Sequence, residues 1–177
     1  MIKHASGMIS GHLTAIDIGG GVGRTAKTIL TQFFSEVDLV ERDPRFIQEA
    51  KKLVPSVRNF YCQDLRDFSF PDKYDCIWIQ WILMYLEDSD VELLLSNANE
   101  AAKPSKRGRS GLVFVKENVD YNSLVDNKDY VITRTDKQLR KIFSRVGLAV
   151  VAHFYQRHTE ADGTELQDVS CYTLRVI

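Results

Sequence analysis

The chain is short of the residues that mark several protein classes. It has only three cysteines, Cys62, Cys76 and Cys171. They are odd in number, far apart, and lack both a CxxC pair and the Cys/His spacing of a zinc site. That excludes a disulfide framework and predicts free thiols in a reducing compartment, with no metal centre. Charge of one sign is not in excess either. A formal net charge of −1 gives no global attraction to nucleic acid or to an anionic membrane, so neither is expected as a direct partner and recognition by charge must be local. No window approaches the length of a membrane span, and Met1 to His12 lacks an apolar run long enough for a signal peptide. The expected location is therefore cytoplasmic and/or nuclear. Repeats and low-complexity tracts are missing too. What is present, 177 residues with 44% hydrophobic and 27% charged side chains, is ordinary for one soluble domain with a single core.

Apolar runs alternate with amphipathic stretches in the rhythm of repeated strand and helix units, which predicts a mostly parallel sheet. Leu13 to Ile18 reads as a strand and Arg24 to Phe34 as a helix. Glu36 to Glu41 is a second strand, followed by Asp43-Pro44, where Asp caps and Pro takes the first position of the next helix. Val57 to Cys62 makes a short third strand. Tyr74 to Gln80 makes a fourth, apolar enough to be central. A helix over Asp88 to Ala102 follows. Lys103 to Gly111, with four basic residues, reads as a solvated turn before the strand Leu112 to Lys116. Asn118 to Arg134 reads as a long polar connection, of a length that is often functional. After a helix over Asp136 to Val146, the strands Ala149 to Gln156 and Val169 to Val176 flank a turn at Asp162-Gly163, closing the chain with an antiparallel hairpin.

The decisive local feature is Asp17-Ile-Gly-Gly-Gly-Val-Gly-Arg24, placed where the first strand turns into the first helix. Backbone N–H groups and a helix N-terminus face a ligand there, and glycine permits close approach. A dinucleotide fingerprint wants G-x-G-x-x-G, but Gly19, Gly21 and Gly23 fit G-x-G-x-G. Glu41, with Arg42 beside it, ends the second strand on the same sheet edge, where a carboxylate can accept both ribose hydroxyls of a nucleoside.

The glycine spacing resembles motif I of class I S-adenosylmethionine-dependent methyltransferases. That implies a Rossmann-like α/β fold: a mostly parallel, seven-stranded twisted sheet with helices on both faces and a C-terminal antiparallel hairpin. It also implies S-adenosylmethionine as cofactor, with S-adenosylhomocysteine as product. In that resemblance Asp17, Gly19, Gly21, Gly23, Arg24, Glu41, Arg42 and Gln80 hold the cofactor, Arg24 through its methionine carboxylate, and Asp64-Leu65 looks like the turn that recognises adenine. Motif I fixes the donor and leaves the acceptor open: a small molecule, another macromolecule, or none in a cofactor-binding partner subunit without turnover. A nicotinamide-dependent oxidoreductase is disfavoured by the spacing.

The acceptor side is read from Trp78-Ile-Gln-Trp-Ile-Leu-Met-Tyr-Leu-Glu-Asp88, from Val115-Lys-Glu-Asn118, and from the spacing of Asp129, Arg134 and Val146-Gly147-Leu148. These resemble the protein α-N-terminal methyltransferases that act on X-Pro-Lys termini, over nearly the whole chain from about Ala15. The resemblance implies that protein or peptide N-termini are the partners, that Trp81 walls the cleft for the second-residue proline, that Asn118 and Asp129 hold the acceptor amine, and that Asp126 helps bind the third-residue Lys or Arg. A free α-amine has a pKa of about 8, so losing one proton costs little near neutrality, and orientation matters more than a strong base. Asn118, Asp129 and Tyr85 are the candidate catalytic residues, and Asp129 can also take the proton. Two positions depart from the family. Tyr85 stands where many members have His, and as a neutral phenol it shifts weight to Asp129. Asn127 stands where an acidic residue is common. Tyr85 also fits an aromatic core position, as does Trp81, although a place just past a central strand favours the site for Trp81. The family's N-terminal helical cover is largely missing, with Met1 to His12 as a short lead.

Overall fold

The structure, a computed structural model, describes residues 13–104, 108, 110–126, 128–156 and 168–177. The N-terminal lead, residues 105–107 and 109 of the basic turn, Asn127 and the Asp162-Gly163 turn lie outside the described residues.

The strands are β1 (Thr14–Ile18), β2 (Glu36–Glu41), β3 (Asn59–Cys62), β4 (Cys76–Gln80), β5 (Leu112–Val119), the short β6 (Leu124–Asp126) and β7 (Val131–Thr133), β8 (Leu148–Gln156) and β9 (Asp168–Val176). The helices are α1 (residues 24–33), α2 (Pro44–Leu53), α3 (Asp88–Ala102) and α4 (Asp136–Arg145). Seven strands form one sheet in the order β3-β2-β1-β4-β5-β9-β8, and β6 pairs with β7 alone. Pairing is parallel from β3 through β5 and antiparallel around β9. The expected sheet and closing pair of strands are therefore present. The order reverses between β1 and β4, which places a crevice at the C-terminal ends of those strands, where open α/β sheets bind ligands.

Alternation along each strand divides the core into two layers. On one face Ile16, Ile18, Ile77 and Ile79 pack under α3 and α4. On the other, Ala15, Val37, Leu39 and Cys76 pack with Leu30 of α1 and Ile47 and Ala50 of α2. Helix α2 begins as the sequence predicts: Asp43 accepts the Arg45 N–H at 2.8 Å and Pro44 opens the helix, a cap that contributes about 1 kcal/mol. Helix α4 carries a capping box between Thr135 and Gln138, a signal legible in Thr-Asp-Lys-Gln. Within α1, Ala26–Leu30 is π-helical.

One buried charge braces the sheet. Asp38 is fully buried on β2 and takes two bonds from the Arg58 guanidinium, one from Asn59 and one from the Tyr74 hydroxyl. Burial alone pushes its carboxyl up, but these donors outweigh burial and hold it below the ordinary carboxylate range.

Two expectations need correction. Strand β5 runs on through Val119, because Lys116, Glu117 and Asn118 continue the ladder opposite Cys171, Ser170 and Val169. The segment read as a long polar connection contains the β6–β7 hairpin. All three β6 residues are exposed, so no apolar alternation announces it.

Candidate active site

The glycine loop leaves β1 and enters α1 with Gly19, Gly21 and Gly23 in the left-handed region. A side chain at Gly19 would collide with Ile82, whereas one at Gly21 would meet open space. Gly21 lines a cleft of about 340 Å³ whose walls include Asp17, Gly19, Arg24, Phe46, Gln80 and Trp81. Asp17 sits at the bottom, 2% exposed. Its Oδ2 has no partner among the described residues. Burial raises its carboxyl to about 7, and the bond from the Ala26 N–H pulls the other way. An orphaned buried carboxylate oxygen beside a glycine cradle suits a ligand carrying an ammonium group, and the exposed Arg24 at the same cleft suits that ligand's carboxylate.

Glu41 is placed as expected. Its carboxylate accepts the Gly21 N–H at 3.1 Å and the Asp43 N–H at 2.9 Å, which fixes it beside the loop with lone pairs to spare for hydroxyl donors. Arg42 and Asp64 line a neighbouring open cavity of about 610 Å³ with Pro44, Cys62 and Gln63. The Asp64 carboxylate is bound to the Arg66 backbone and guanidinium, and Leu65 packs against the core. The structure therefore brings Asp17, the three glycines, Arg24, Glu41 and Gln80 to one sheet edge, with the Arg42–Asp64 pair beside them.

The acceptor candidates fall into two groups. Trp81 has a φ of 53°, an unusual backbone for a bulky residue, and such outliers concentrate at functional sites. It is held there from β5: its N–H donates to the Lys116 carbonyl at 2.9 Å, its indole N–H to Asn118 Oδ1 at 3.1 Å, and Lys116 Nζ lies 4.9 Å from its ring centre. A second cavity, about 670 Å³, is lined by Met84, Tyr85, Leu124, Val125, Asp126, Asp129, Val131 and Thr133. Asp126 and Asp129 come from the β6–β7 hairpin. The Asp126 carboxylate accepts the Lys128 and Asp129 N–H groups at 2.8 and 3.3 Å, so it shapes the turn as well as lining the cavity. Tyr85 is 60% exposed and Trp81 42%, which removes the core reading of both.

Sequence reasoning missed Glu117 and Arg134, each 2% exposed. Glu117 accepts the N–H groups of Asn118 and Met84. Arg134 donates to the carbonyls of Leu83 and Leu86 and to Asp88. A charged residue in a polar stretch reads as solvated, and only the fold reveals the pairing.

A reversing parallel sheet, a G-x-G-x-G loop with an acidic residue at its base, and a second carboxylate at the end of β2 define the class I S-adenosylmethionine-dependent methyltransferase fold. A solved S-adenosylmethionine-dependent methyltransferase from Leishmania major superposes with a TM-score of 0.83 at 29% identity, over 98% of this chain and 70% of that one. The chain belongs to the AdoMet-dependent proline di-methyltransferase family, whose profile matches residues 2–175. It is 34% identical to the alpha N-terminal protein methyltransferase 1 of Arabidopsis thaliana, over 93% of this chain and 60% of the relative. It is 31% identical to the N-terminal Xaa-Pro-Lys N-methyltransferase 1 of Danio rerio, over 91% and 71%. The chain thus spans 60% of the Arabidopsis relative and about half of the rice ones, 48%.

Proposed function

We propose that the chain transfers methyl groups from S-adenosylmethionine to the free α-amine of proteins beginning X-Pro-Lys or X-Pro-Arg. The observation that carries this reading is the adjacency of the two cavities across residues 81–85. Trp81 walls the glycine-loop cleft, and three residues on, Met84 and Tyr85 wall the acidic cavity. A donor and an acceptor bound in these places meet at Trp81 and Asn118. The names of the Arabidopsis and zebrafish relatives support the same acceptor.

When bound, S-adenosylmethionine supplies a sulfonium methyl, which the amine lone pair takes as the carbon–sulfur bond breaks. The chain's own residues do the rest. Asp17 Oδ2 accepts from the ammonium at the amino-acid end of the cofactor, Arg24 pairs with its carboxylate, and Glu41 accepts from the ribose hydroxyls. The Trp81 ring flanks the substrate's proline. Asn118 and Asp129 orient the amine, and Asp129 draws its ammonium form and takes the proton released. Asp126 faces the basic third residue. Tyr85 lines the same cavity and is not asked to act as base. The gain comes from proximity and alignment, which can supply several kcal/mol.

The test is mass spectrometry of a synthetic X-Pro-Lys peptide incubated with the chain and S-adenosylmethionine, beside the same peptide N-terminally acetylated. Added mass in 14 Da steps, about one methylene each, on the free peptide alone is the expected result. Methylation of the acetylated peptide, or of neither in a sample that binds the cofactor, overturns the acceptor.

A further inference from the structure

We infer that Glu117 and Arg134 are positioning residues for the acceptor. Together they lock the turn that follows Trp81 between β5 and β7, and so set the distance between the two walls of the acidic cavity. The inference rests on the reading that this cavity receives the acceptor.

After β4 the chain must reverse at once. Trp81 takes a left-handed backbone, and Leu83–Tyr85 forms a single 3-10 turn. A turn this short leaves N–H groups at its start and carbonyl lone pairs along it without ladder partners, and buried ones must be satisfied from elsewhere. Glu117 serves the first set. From the face of β5 opposite Asn118, its Oε2 accepts the Met84 N–H at 3.2 Å while its Oε1 accepts the Asn118 N–H at 2.9 Å, and the Leu83 N–H also donates to it. Arg134 serves the second. Its two terminal nitrogens donate to the Leu83 and Leu86 carbonyls at 2.7 Å each, and its Nε donates to Asp88 at 2.8 Å.

One wall of the cavity, Met84 and Tyr85, belongs to this turn. The other, from Leu124 to Thr133, belongs to the hairpin that ends one residue before Arg134. Arg134 therefore bolts one wall to the other, and Glu117 bolts the turn to the strand end that carries Asn118. Neither residue lines the cavity. Two buried charges are a costly way merely to fill space, since apolar residues of similar volume commonly stabilise a fold as well or better. They are an effective way to fix a backbone to within the fraction of an ångström that methyl transfer needs. Burial raises the Glu117 carboxyl to about 7 against the opposing pull of the Asn118, Met84 and Leu83 N–H groups and the Arg134 charge, as expected of a group held for geometry at some electrostatic expense.

The test compares wild type with Glu117→Gln and Arg134→Lys. Glutamine keeps one acceptor and presents a donor to the other N–H groups. Lysine keeps the charge but cannot span two carbonyls and a carboxylate at once. Two readouts are taken with S-adenosylhomocysteine bound: amide hydrogen exchange by mass spectrometry, and the separate dependence of rate on peptide and on S-adenosylmethionine. In Glu117→Gln, exchange in the segment 82–87 rises about tenfold or more, exchange in the glycine loop stays unchanged, kcat/KM for the peptide falls at least about tenfold, and KM for S-adenosylmethionine stays within about twofold. Equal loss on both substrates, or unchanged exchange in 82–87, overturns the inference. Arg134→Lys, if it folds, gives the same split, and Glu117→Gln decides if it does not. If the wild type methylates no peptide, the acceptor reading has failed, and exchange alone then judges the clamp: selective opening of 82–87 upholds it, and uniform or unchanged exchange rejects it.

Discussion

Replacing Asp17 with Asn would test whether the base of the glycine-loop cleft is built for a positive charge. Burial lifts the Asp17 carboxyl from its ordinary 3.8 to about 7, an ionisation penalty that approaches roughly 4 kcal/mol at high pH. The sign follows from linkage. With a folded value above the unfolded one, the group's contribution to stability is full below pH 3.8 and is lost as pH rises through 7. Asparagine keeps an acceptor for the Ala26 N–H and carries no charge. Without ligand the variant should therefore be more stable at pH 8, by about 1–2 kcal/mol once the wild-type site has relaxed. A bound ammonium reverses the preference by favouring the ionised carboxylate. Near pH 6, binding should then release close to one proton, and wild-type affinity should weaken by up to about tenfold for each pH unit below 7. Isothermal titration of S-adenosylhomocysteine in buffers of different ionisation enthalpy counts that proton directly. The wild type should show release near pH 6 and the variant none, with the variant binding at least about tenfold more weakly at pH 8. Buffer-independent wild-type heats at pH 6, or undiminished binding by the variant, would refute the reasoning.

Three further outcomes are expected. Gly21→Ala places a methyl in the open cleft from a left-handed backbone; the strain costs about 1–2 kcal/mol, visible as a lower Tm, and cofactor affinity falls by more than about tenfold, so unaltered binding would show that the cleft is not the cofactor's. Asp129→Asn should cut kcat for the peptide by about two orders of magnitude while leaving S-adenosylhomocysteine affinity nearly unchanged; equal loss of both would remove Asp129 from the acceptor side. Tyr74→Phe deletes one of the donors to buried Asp38 and should cost about 1–3 kcal/mol in a denaturant melt, with no effect on cofactor binding, whereas a neutral result would mean that Arg58 and Asn59 satisfy Asp38 unaided.

The half of the molecule that carries the glycine-loop cleft was legible because its physics is local. The apolar runs of β1, β2 and β4 declare buried strands, Asp43-Pro44 declares a helix start, and glycines spaced around Gly21 declare a backbone bent toward a ligand. The half that carries the acidic cavity was legible only by family resemblance. Leu124 to Asp126 forms a strand with no buried face, so periodicity could not find it, and the polar run Lys116-Glu117-Asn118 looks like a strand's end although β9 continues the ladder beside it. The pairings of Asp38, Glu117 and Arg134 are not legible in the sequence because Arg58, Met84 and Leu83, which they meet, lie 20 to 51 residues away. A buried ion is recognisable only when its distant partner is seen.

Strand β9 supplies no lining residue to either cleft, yet it indexes both. Its pairing places Asn118 opposite Val169 and Glu117 opposite Ser170, and neighbouring residues of β5 point to opposite faces. Sliding β5 by one step along β9 would turn the tryptophan-facing amide toward the core and the turn-holding carboxylate toward the cleft, undoing the Trp81 anchor and the hold on the turn in a single event. Insertions or deletions within β9 should therefore be as damaging as loss of Asn118 itself. The strand works as a ruler, and it does so from inside the core, where Tyr172 and Leu174 are fully buried.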